Sequence, residues 1–136
     1  MTVIYHELLG DPQRIFHTAA LFGISFSMRL EPAVFTIAGQ LSQDYTGGLW
    51  HFFALSNGGF YMAPQSERRF RVISENGFEG EVSADALGIT ACLYAYSQLS
   101  FTGDGAFQKT CADQFHLLRA CALDHAEAGA IFAAID

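Results

Sequence analysis

The sequence predicts an α+β fold, a single compact domain in which a small antiparallel sheet packs against helices from both ends of the chain. Three observations predict it. The chain reads as helices, then strands, then helices, without βαβ alternation. Two Asn-Gly pairs each separate two β-rich runs, the strongest short-range hairpin signal. Hydrophobic residues make up 51% of the 136 residues and charged residues 15%, which excludes disorder and suits one domain, 1–136.

The N-terminal third predicts two helices. The first covers 12–22, with Asp11 as N-cap, Pro12 at the first helical position and Gly23 as terminator. The second covers about 29–42. Its apolar stripe has helical spacing and consists of Leu30, Val34, Ile37 and Leu41.

The middle third predicts a meander of three to four strands at about 48–82. Its first hairpin joins 48–55 to 60–64 through Asn57-Gly58. Both faces of this hairpin are apolar, so it is covered on both sides or one face awaits a partner. For the same reason, alternation of polar and apolar residues cannot set its register.

The second hairpin joins 68–74 to 78–82 and alternates apolar with charged residues. A two-residue loop would place apolar residues opposite charged ones. A three-residue loop, 75–77, keeps one face apolar and one charged, and places Gly77 at the left-handed position. That register pairs Phe70 with Val82 and Arg71 with Glu81, the latter as a solvated cross-strand ion pair.

The C-terminal third predicts three helices. Ser83 is the N-cap of the first, Asp85 lies in its first turn, and it ends near Ser100. The sequence "TGDG" at 102–105 breaks the helical pattern. The remaining helices are expected at 106–121 and 125–135, with Ile131 and Phe132 packing on the body.

Composition bounds the location and redox chemistry. The longest apolar candidate, 15–28, is too short to span a bilayer, and the N-terminus lacks the basic start of a signal peptide. We therefore expect a cytoplasmic protein with no membrane contact. The three cysteines, Cys92, Cys111 and Cys121, sit among Ala and Leu and are predicted to be small buried hydrophobes.

No catalytic motif emerges from the residues. Ser56, His51 and Asp44 are the types of a hydrolase triad, but Ser56 enters a hairpin and lacks the strand-to-helix elbow of such enzymes. No phosphate-binding glycine loop is present. We expect Gly47-Gly48 and Gly58-Gly59 to supply positive φ and close backbone approach.

A metal site is also not indicated. Cys121 and His125 stand four residues apart with His116 nearby, but no C-x-x-C or H-E-x-x-H pattern exists. The favoured interpretation is a helix surface near its C-terminus, where histidine is electrostatically favourable.

Charge argues against nucleic-acid binding and against mimicry of DNA. The one basic cluster, Arg68, Arg69 and Arg71, is predicted to lie beside Glu79 and Glu81, and the net charge is −7. Duplex DNA carries one charge per ~1.7 Å. The 14 carboxylates and 7 cations of this chain are too few and too scattered for such an array.

Four sequence blocks, taken together, resemble a known family. "DYTGGLWHFFALSNGGFYMAPQ" (44–65) is followed in order by "FEGEVSADALGI", "LYAYSQLSFTGD" and the terminal "EAGAIFAAID". These blocks are similar to the ArdB/KlcA antirestriction proteins of plasmids and other mobile elements. The resemblance runs from about residue 12 to 136, whereas 24–35 follows the family only loosely.

The resemblance implies a function that the residues alone do not. Family members protect incoming DNA from type I restriction-modification enzymes, leave modification largely untouched and are not strong DNA mimics. They have no established catalytic residues, so the resemblance implies no enzyme activity, cofactor or metal. The implied partner is a type I restriction-modification enzyme in the bacterial cytoplasm, without strong direct DNA binding. Oligomeric state is left open.

The contact surface is a hypothesis built on ten residues. Most of them also have a structural interpretation: Trp50 as core, Asn57 and the glycines as turn geometry, Asp85 as a helix-start charge and Asp136 as a solvated terminus. The ten are Asp44, Tyr45, Trp50, Asn57, Gly58, Gly59, Glu79, Glu81, Asp85 and Asp136. Two other functions stay open: a small-ligand-binding domain or enzyme with the aromatic sheet as a pocket wall, and an interaction module unrelated to restriction.

Overall fold

The structure is a computed structural model that describes residues 3–102 and 105–136. Within them the chain forms five α-helices, one π-helix and five strands. The strands are β1 (His6–Leu8), β2 (Trp50–Leu55), β3 (Phe60–Pro64), β4 (Arg69–Ile73) and β5 (Glu79–Ser83). The helices are α1 (Asp11–Phe22), a π-helix (Phe26–Leu30), α2 (Glu31–Leu41), α3 (Ala84–Leu99), α4 (Gly105–Ala122) and α5 (Ala128–Ile135). The predicted α+β fold is confirmed.

Helix α1 begins one residue earlier than predicted. Gly10 takes the extended N-cap conformation, so Asp11 is not the N-cap but lies in the first turn. There its negative charge interacts favourably with the positive end of the helix dipole. Gly23 ends the helix at φ +60°, as expected.

The second predicted helix is divided in two. Glu31 donates its N–H to Phe26 O, which closes a π-helix before α2 starts. Pro32 has no N–H with which to continue an α-helical ladder to the carbonyl four residues earlier. The predicted stripe is confirmed, since Leu30, Val34, Ile37 and Leu41 are all buried.

The first hairpin carries the centre of the core. Strands β2 and β3 pair antiparallel with Phe52 opposite Met62, and β1 pairs with the other side of β2. β1 was not predicted, because three exposed residues are too few to show a period. Helix α3 lies along the outer edge of β3, where the Tyr96 hydroxyl donates to Phe60 O at 2.7 Å.

The second hairpin forms a separate two-stranded sheet, β4–β5, and not the continuation of one meander. The reason is that α3 already covers the outer edge of β3 and leaves no place for β4. The three-residue loop is confirmed: Phe70 pairs with Val82, Arg71 stands opposite Glu81, and Gly77 has φ +94°.

The C-terminal helices follow the prediction with one shift. The Ser83 hydroxyl caps α3 by accepting the Ala86 N–H at 3.1 Å. Helix α5 begins at Ala128 and not at 125, because Glu127 donates its N–H to His125 Nδ1 in a turn. The predicted break at 102–105 lies partly outside the described residues. Cys92 and Cys111 are buried as expected, whereas Cys121 is partly exposed.

No single helix in the described ranges is long and apolar enough to cross a bilayer. Residues 11–22 and 26–41 pass that test of length and composition only as a pair, and the pair is bent by 91°.

Candidate functional site

The exposed side of the β4–β5 hairpin carries four charged side chains, Arg69, Arg71, Glu79 and Glu81, which we call the charged face. Arg71 forms an ion pair with Glu79, and Arg69 Nε lies 3.8 Å from Glu81 Oε1. The predicted Arg71–Glu81 ion pair is therefore wrong, although the two residues stand opposite each other. Strand twist brings diagonal neighbours within reach of long side chains. All four side chains are more than half exposed, so these pairs stabilise the fold little.

The register determines which backbone groups face outward. Ser74 donates its N–H to Phe78 O, so Ser74, Val72 and Phe70 direct their backbone groups toward β5, and the residues between them direct theirs outward. The outward-facing residues are Arg69, Arg71 and Ile73 on β4, and Glu79, Glu81 and Ser83 on β5.

A carboxylate accepts one outward N–H on each edge. Asp44 Oδ2 lies 2.8 Å from Arg71 N, and Glu127 Oε1 lies 2.9 Å from Ser83 N. Glu127 also accepts the Ser83 hydroxyl and lies 3.5 Å from Arg69 Nη2. Burial alone would raise the pKa of Glu127, but the contacts with Ser83 and Arg69 outweigh it and lower the pKa.

A chain of hydrogen bonds continues from Glu127 into the molecule. Tyr61 Oη donates to Asp85 Oδ1 at 2.7 Å, and the other carboxylate oxygen of Asp85 lies 2.8 Å from His125 Nε2. His125 Nδ1 accepts the Glu127 N–H at 2.9 Å, so the ring proton is on Nε2 and points at Asp85. Because the Tyr61 hydroxyl donates its only proton to Asp85, its oxygen acts as the acceptor for His6 Nδ1 at 2.9 Å.

These bonds set the charge states of the network. Burial would raise the pKa of Asp85, but the hydrogen bonds from His125 and Tyr61 outweigh it and lower the pKa. The hydrogen bond to Asp85 raises the pKa of His125. Burial, followed by the charge of Asp85, raises the pKa of Tyr61. The network thus holds the Asp85 carboxylate between a phenol and an imidazole, and it joins β1, β3, α3 and the turn before α5.

The triad types considered from the sequence do not assemble. The Ser56 hydroxyl accepts the Tyr5 N–H at 2.8 Å, while Asp44 accepts the Arg71 N–H. Burial raises the pKa of Cys121, aided by Asp85 and Asp124, so this thiol stays protonated.

The described residues contain no cluster of three or more potential metal ligands. His125 does not lie on a helix surface, as the sequence suggested, but follows α4 in a turn and faces Asp85. His116 instead packs edge-on against Phe115.

Several predicted contact residues support the fold from within. Trp50 is 3% exposed and donates its Nε1–H to the Tyr45 hydroxyl at 3.0 Å. Asn57 donates from Nδ2 to Leu117 O at 2.9 Å and accepts the Gly59 N–H at 3.0 Å. Gly58 has φ +93°, and a Cβ on Gly59 would lie 2.8 Å from Leu55 Cδ1.

Others lie where a partner could reach them. Glu79 and Glu81 share the charged face, and Asp44 joins it through Arg71. Asp136 is exposed at the end of α5, a helix held to the hairpin tip by Asn76 Nδ2 donating to Ala133 O at 2.8 Å. Asp85 lies apart from them, in the polar network.

Sequence reasoning missed His6, Tyr61 and Glu127 as members of the network. Tyr61 and Asp85 are 24 residues apart, and His125 and Asp85 are 40 apart. Such pairing has no local pattern. The available signals were weak: a serine N-cap with an acid two residues later, and a histidine at the end of an apolar helix.

The aromatic sheet offers little wall to a ligand. Phe60 and Tyr61 are 0% exposed. A cleft of about 460 Å³ between α1 and the π-helix reaches one sheet aromatic, Phe52, and the Arg14 guanidinium covers that ring at 3.8 Å.

Comparison with known proteins gives a consistent result. Residues 43–136 match the family model described as Antirestriction protein. The chain is 46% identical over 132 residues to an antirestriction protein KlcA of Escherichia coli, covering 94% of this chain and 90% of the relative. A second KlcA from that organism is 41% identical over 133 residues, covering 96% and 93%.

A solved structure also resembles this chain closely. It is 40% identical, covers 99% of this chain and 96% of its own, and superposes with a TM-score of 0.89. It belongs to work describing KlcA and ArdB proteins as having a novel fold and antirestriction activity against Type I DNA restriction systems in vivo but not in vitro. The resemblance found in the sequence blocks is confirmed.

Proposed function

Because this chain belongs to the antirestriction protein family, we propose that it protects incoming mobile-element DNA by inhibiting type I restriction-modification enzymes. It acts on restriction and leaves modification largely untouched, in the bacterial cytoplasm, as one functional domain of residues 1–136. The observation that carries the proposal is the 40% identity, over 99% of this chain, to the structure for which activity against Type I systems is stated.

We propose inhibition by protein contact and not by imitation of DNA. An imitation needs a regular array of charge at about one per 1.7 Å. On the charged face, arginines stand between the glutamates, and both glutamates are paired with them. A net charge of −7 spread over the chain disfavours strong direct DNA binding.

We also propose that the protein is not an enzyme and uses no cofactor. Tyr61, Asp85 and His125 are the strongest acid–base candidates by type, but their polar atoms are occupied by one another and by the backbone. Such a network supports a structural role: through Glu127 it holds Ser83, the residue at which β5 ends.

The proposed contact surface consists of the charged face with Asp44 and Asp136. These carboxylates are exposed or lie at the exposed edge of the second hairpin. The surface proposed here leaves out Tyr45, Trp50, Asn57, Gly58, Gly59 and Asp85, because their contacts lie within the fold or in the turn of the first hairpin.

The test is phage plating on a restricting host with and without expression of this protein. Expected is a higher plating efficiency of unmodified phage, with no change on a host that lacks restriction. Cells are used because the related structure is linked to activity in vivo but not in vitro. Unchanged restriction across several type I systems would overturn the proposal.

Variants locate the surface. The pair Glu79→Gln and Glu81→Gln neutralises two carboxylates on the charged face. The matched control, Asp113→Asn, neutralises an exposed carboxylate on α4 that pairs with Lys109. Expected is loss of protection in the first variant and wild-type protection in the control.

A further inference from the structure

We propose that the outer edge of β4 accepts an extended, basic segment of the restriction enzyme, which adds to the β4–β5 sheet as a third strand at Ile73. This inference rests on the proposed function. It names the mode of contact and the chemistry of the segment that is contacted.

The first argument is the unused backbone at Ile73. The register points both its N–H and its C=O away from β5. Neither group meets a hydrogen-bond partner among the residues that the structure describes. A residue with both groups free and facing outward is what an added strand pairs with.

The second argument is that the molecule covers more of its other long edges than of the β4 edge, where Asp44 accepts only the Arg71 N–H. On β3, Tyr96 Oη donates to Phe60 O, and Cys92 Sγ lies 3.6 Å from Met62 O. On β5, Glu127 accepts the Ser83 N–H, and Arg69 Nη2 donates to Glu81 O at 3.0 Å. Glu79 on that edge also turns its backbone groups outward, but its side chain is charged and paired with Arg71, whereas Ile73 offers an apolar side chain. β1 has an outer edge too, but it is only three residues long. Uncovered edges are normally avoided because they invite pairing with other chains.

The third argument is a groove beside β4. A cleft of about 340 Å³ lies between the end of α2 and this edge, and Gln40, Leu41, Asp44, Arg71 and Ile73 contribute to its lining. Ile73 is an exposed apolar side chain at 52% of its surface. The groove therefore offers an apolar contact next to the free backbone groups.

Charge indicates the chemistry of the added segment. Asp44 lines the groove, and Glu75 lines a smaller cleft that adjoins it and shares Ile73. Neither carboxylate forms an ion pair within the described ranges. Arg71 is already neutralised by Glu79. A segment with Lys or Arg on either side of an apolar residue complements this pattern. A second copy of this chain fits less well, because each copy carries a charge of −7.

The test is Ile73→Pro. Proline removes the outward N–H while the β4–β5 ladder keeps all of its bonds, and edge strands tolerate such a residue. Leu8→Pro is the matched control. Leu8 also faces outward on an edge strand, β1, and is 55% exposed against 52% for Ile73.

Expected is an Ile73→Pro protein with a circular dichroism spectrum and Tm like those of Leu8→Pro, but with protection against restriction reduced at least about tenfold. Leu8→Pro retains wild-type protection. Wild-type protection by a folded Ile73→Pro overturns the inference, as does a wild-type dimer that this substitution dissociates. If wild type itself does not protect, the proposed function has failed instead.

A second variant covers loss of folding. Glu75→Lys reverses the charge in the cleft that adjoins the groove at Ile73. It does not touch the ladder, because Glu75 lies in the hairpin loop. Reduced protection by a folded Glu75→Lys supports a basic segment. Unchanged protection overturns it.

Discussion

The two hairpins of this protein share one turn chemistry and differ in nearly everything else. Each turn contains Asn-Gly with the glycine at positive φ. The β2–β3 hairpin lies inside the molecule, with every residue of β3 buried. The β4–β5 hairpin alternates exposed with buried residues along β4 and carries ion pairs on its outer side. The Asn-Gly turn therefore determines that a hairpin forms, whereas the strand residues determine whether that hairpin is buried in the core or lies at the surface.

This difference divides stability from contact. Apolar burial contributes roughly 25 cal/mol per Å², whereas exposed ion pairs contribute about 0–1 kcal/mol. We therefore expect substitutions in the first hairpin to change the free energy of unfolding and substitutions in the second to change protection against restriction.

The largest effect is expected at Phe60. Its ring is fully buried and contacts the rings of Phe22, Phe26 and Phe52 at centroid distances of 5.5–5.8 Å. Phe60→Ala should lower the free energy of unfolding by about 3–5 kcal/mol. Urea denaturation followed by fluorescence or circular dichroism measures it. A loss below about 1 kcal/mol would contradict the claim that the first hairpin contributes more to stability than the second.

The next effect is expected where α3 meets β3. A Cβ on Gly88 would lie 2.4 Å from both Met62 O and Ala63 Cβ, so Gly88→Ala forces the helix off the strand. The expected loss is about 1–3 kcal/mol or more. Gly39→Ala is the matched control, because that helical glycine has nothing within 4 Å of a new Cβ. It should stabilise α2 by about 0.5–1 kcal/mol, and similar losses in both variants would contradict the close packing.

The polar network should make stability fall in acid. Asp85 has its pKa lowered below the usual 3.8 in the folded protein, so the stability it contributes is present above that value. It is lost as the pH falls through the folded pKa. Asp85→Asn should cost about 1–3 kcal/mol near neutral pH, because an amide cannot accept from both Tyr61 and His125.

The same variant should also flatten the acid limb of a plot of unfolding free energy against pH. Asp113→Asn, on the exposed side of α4, is the comparison and should leave that limb unchanged. Parallel acid limbs in wild type and Asp85→Asn would show that the carboxylate is not bound as described.

The smallest stability effect is expected on the charged face. Arg71→Ala removes the Glu79 ion pair and should change the free energy of unfolding by less than about 1 kcal/mol, since both side chains are half exposed. Phage plating on a restricting host is the second measurement for the same variant. A large loss of stability would show that the second hairpin, like the first, contributes substantially to the stability of the fold.

The second hairpin could be predicted from sequence in detail because its two faces differ. Alternating apolar and charged residues allowed one register, and the observed pairing of Phe70 with Val82 agrees with it. The same logic located the stripe of α2 and the Ser83 cap of α3. Both depend on neighbours a few residues apart.

The remaining features depend on distant residues. The division into two sheets follows from α3 occupying the β3 edge, and the Asp85 network joins residues from β1 to the turn before α5. The π-helix has a local cause in Pro32. The apolar stripe could not reveal it, because the same residues are buried whether one helix runs through 29–42 or a π-helix is followed by a new α-helix. Of the residues predicted for the contact surface, Glu79 and Glu81 are exposed, whereas Trp50 is buried, because alternation in β4–β5 reveals the outer face and the apolar first hairpin does not.

The two asparagines in the hairpin turns have a consequence for the chemical ageing of the protein. Asn57 and Asn76 each accept an N–H two residues on and donate to a helix carbonyl, Leu117 O and Ala133 O respectively. Asparagine followed by glycine is the sequence at which deamidation proceeds most readily, since little hinders attack by the next amide. Here both side chains are held at each end, which opposes the rotation that this attack needs. Deamidation would replace a donor by a carboxylate facing a carbonyl oxygen, so that a single chemical change would release either hairpin tip from its helix.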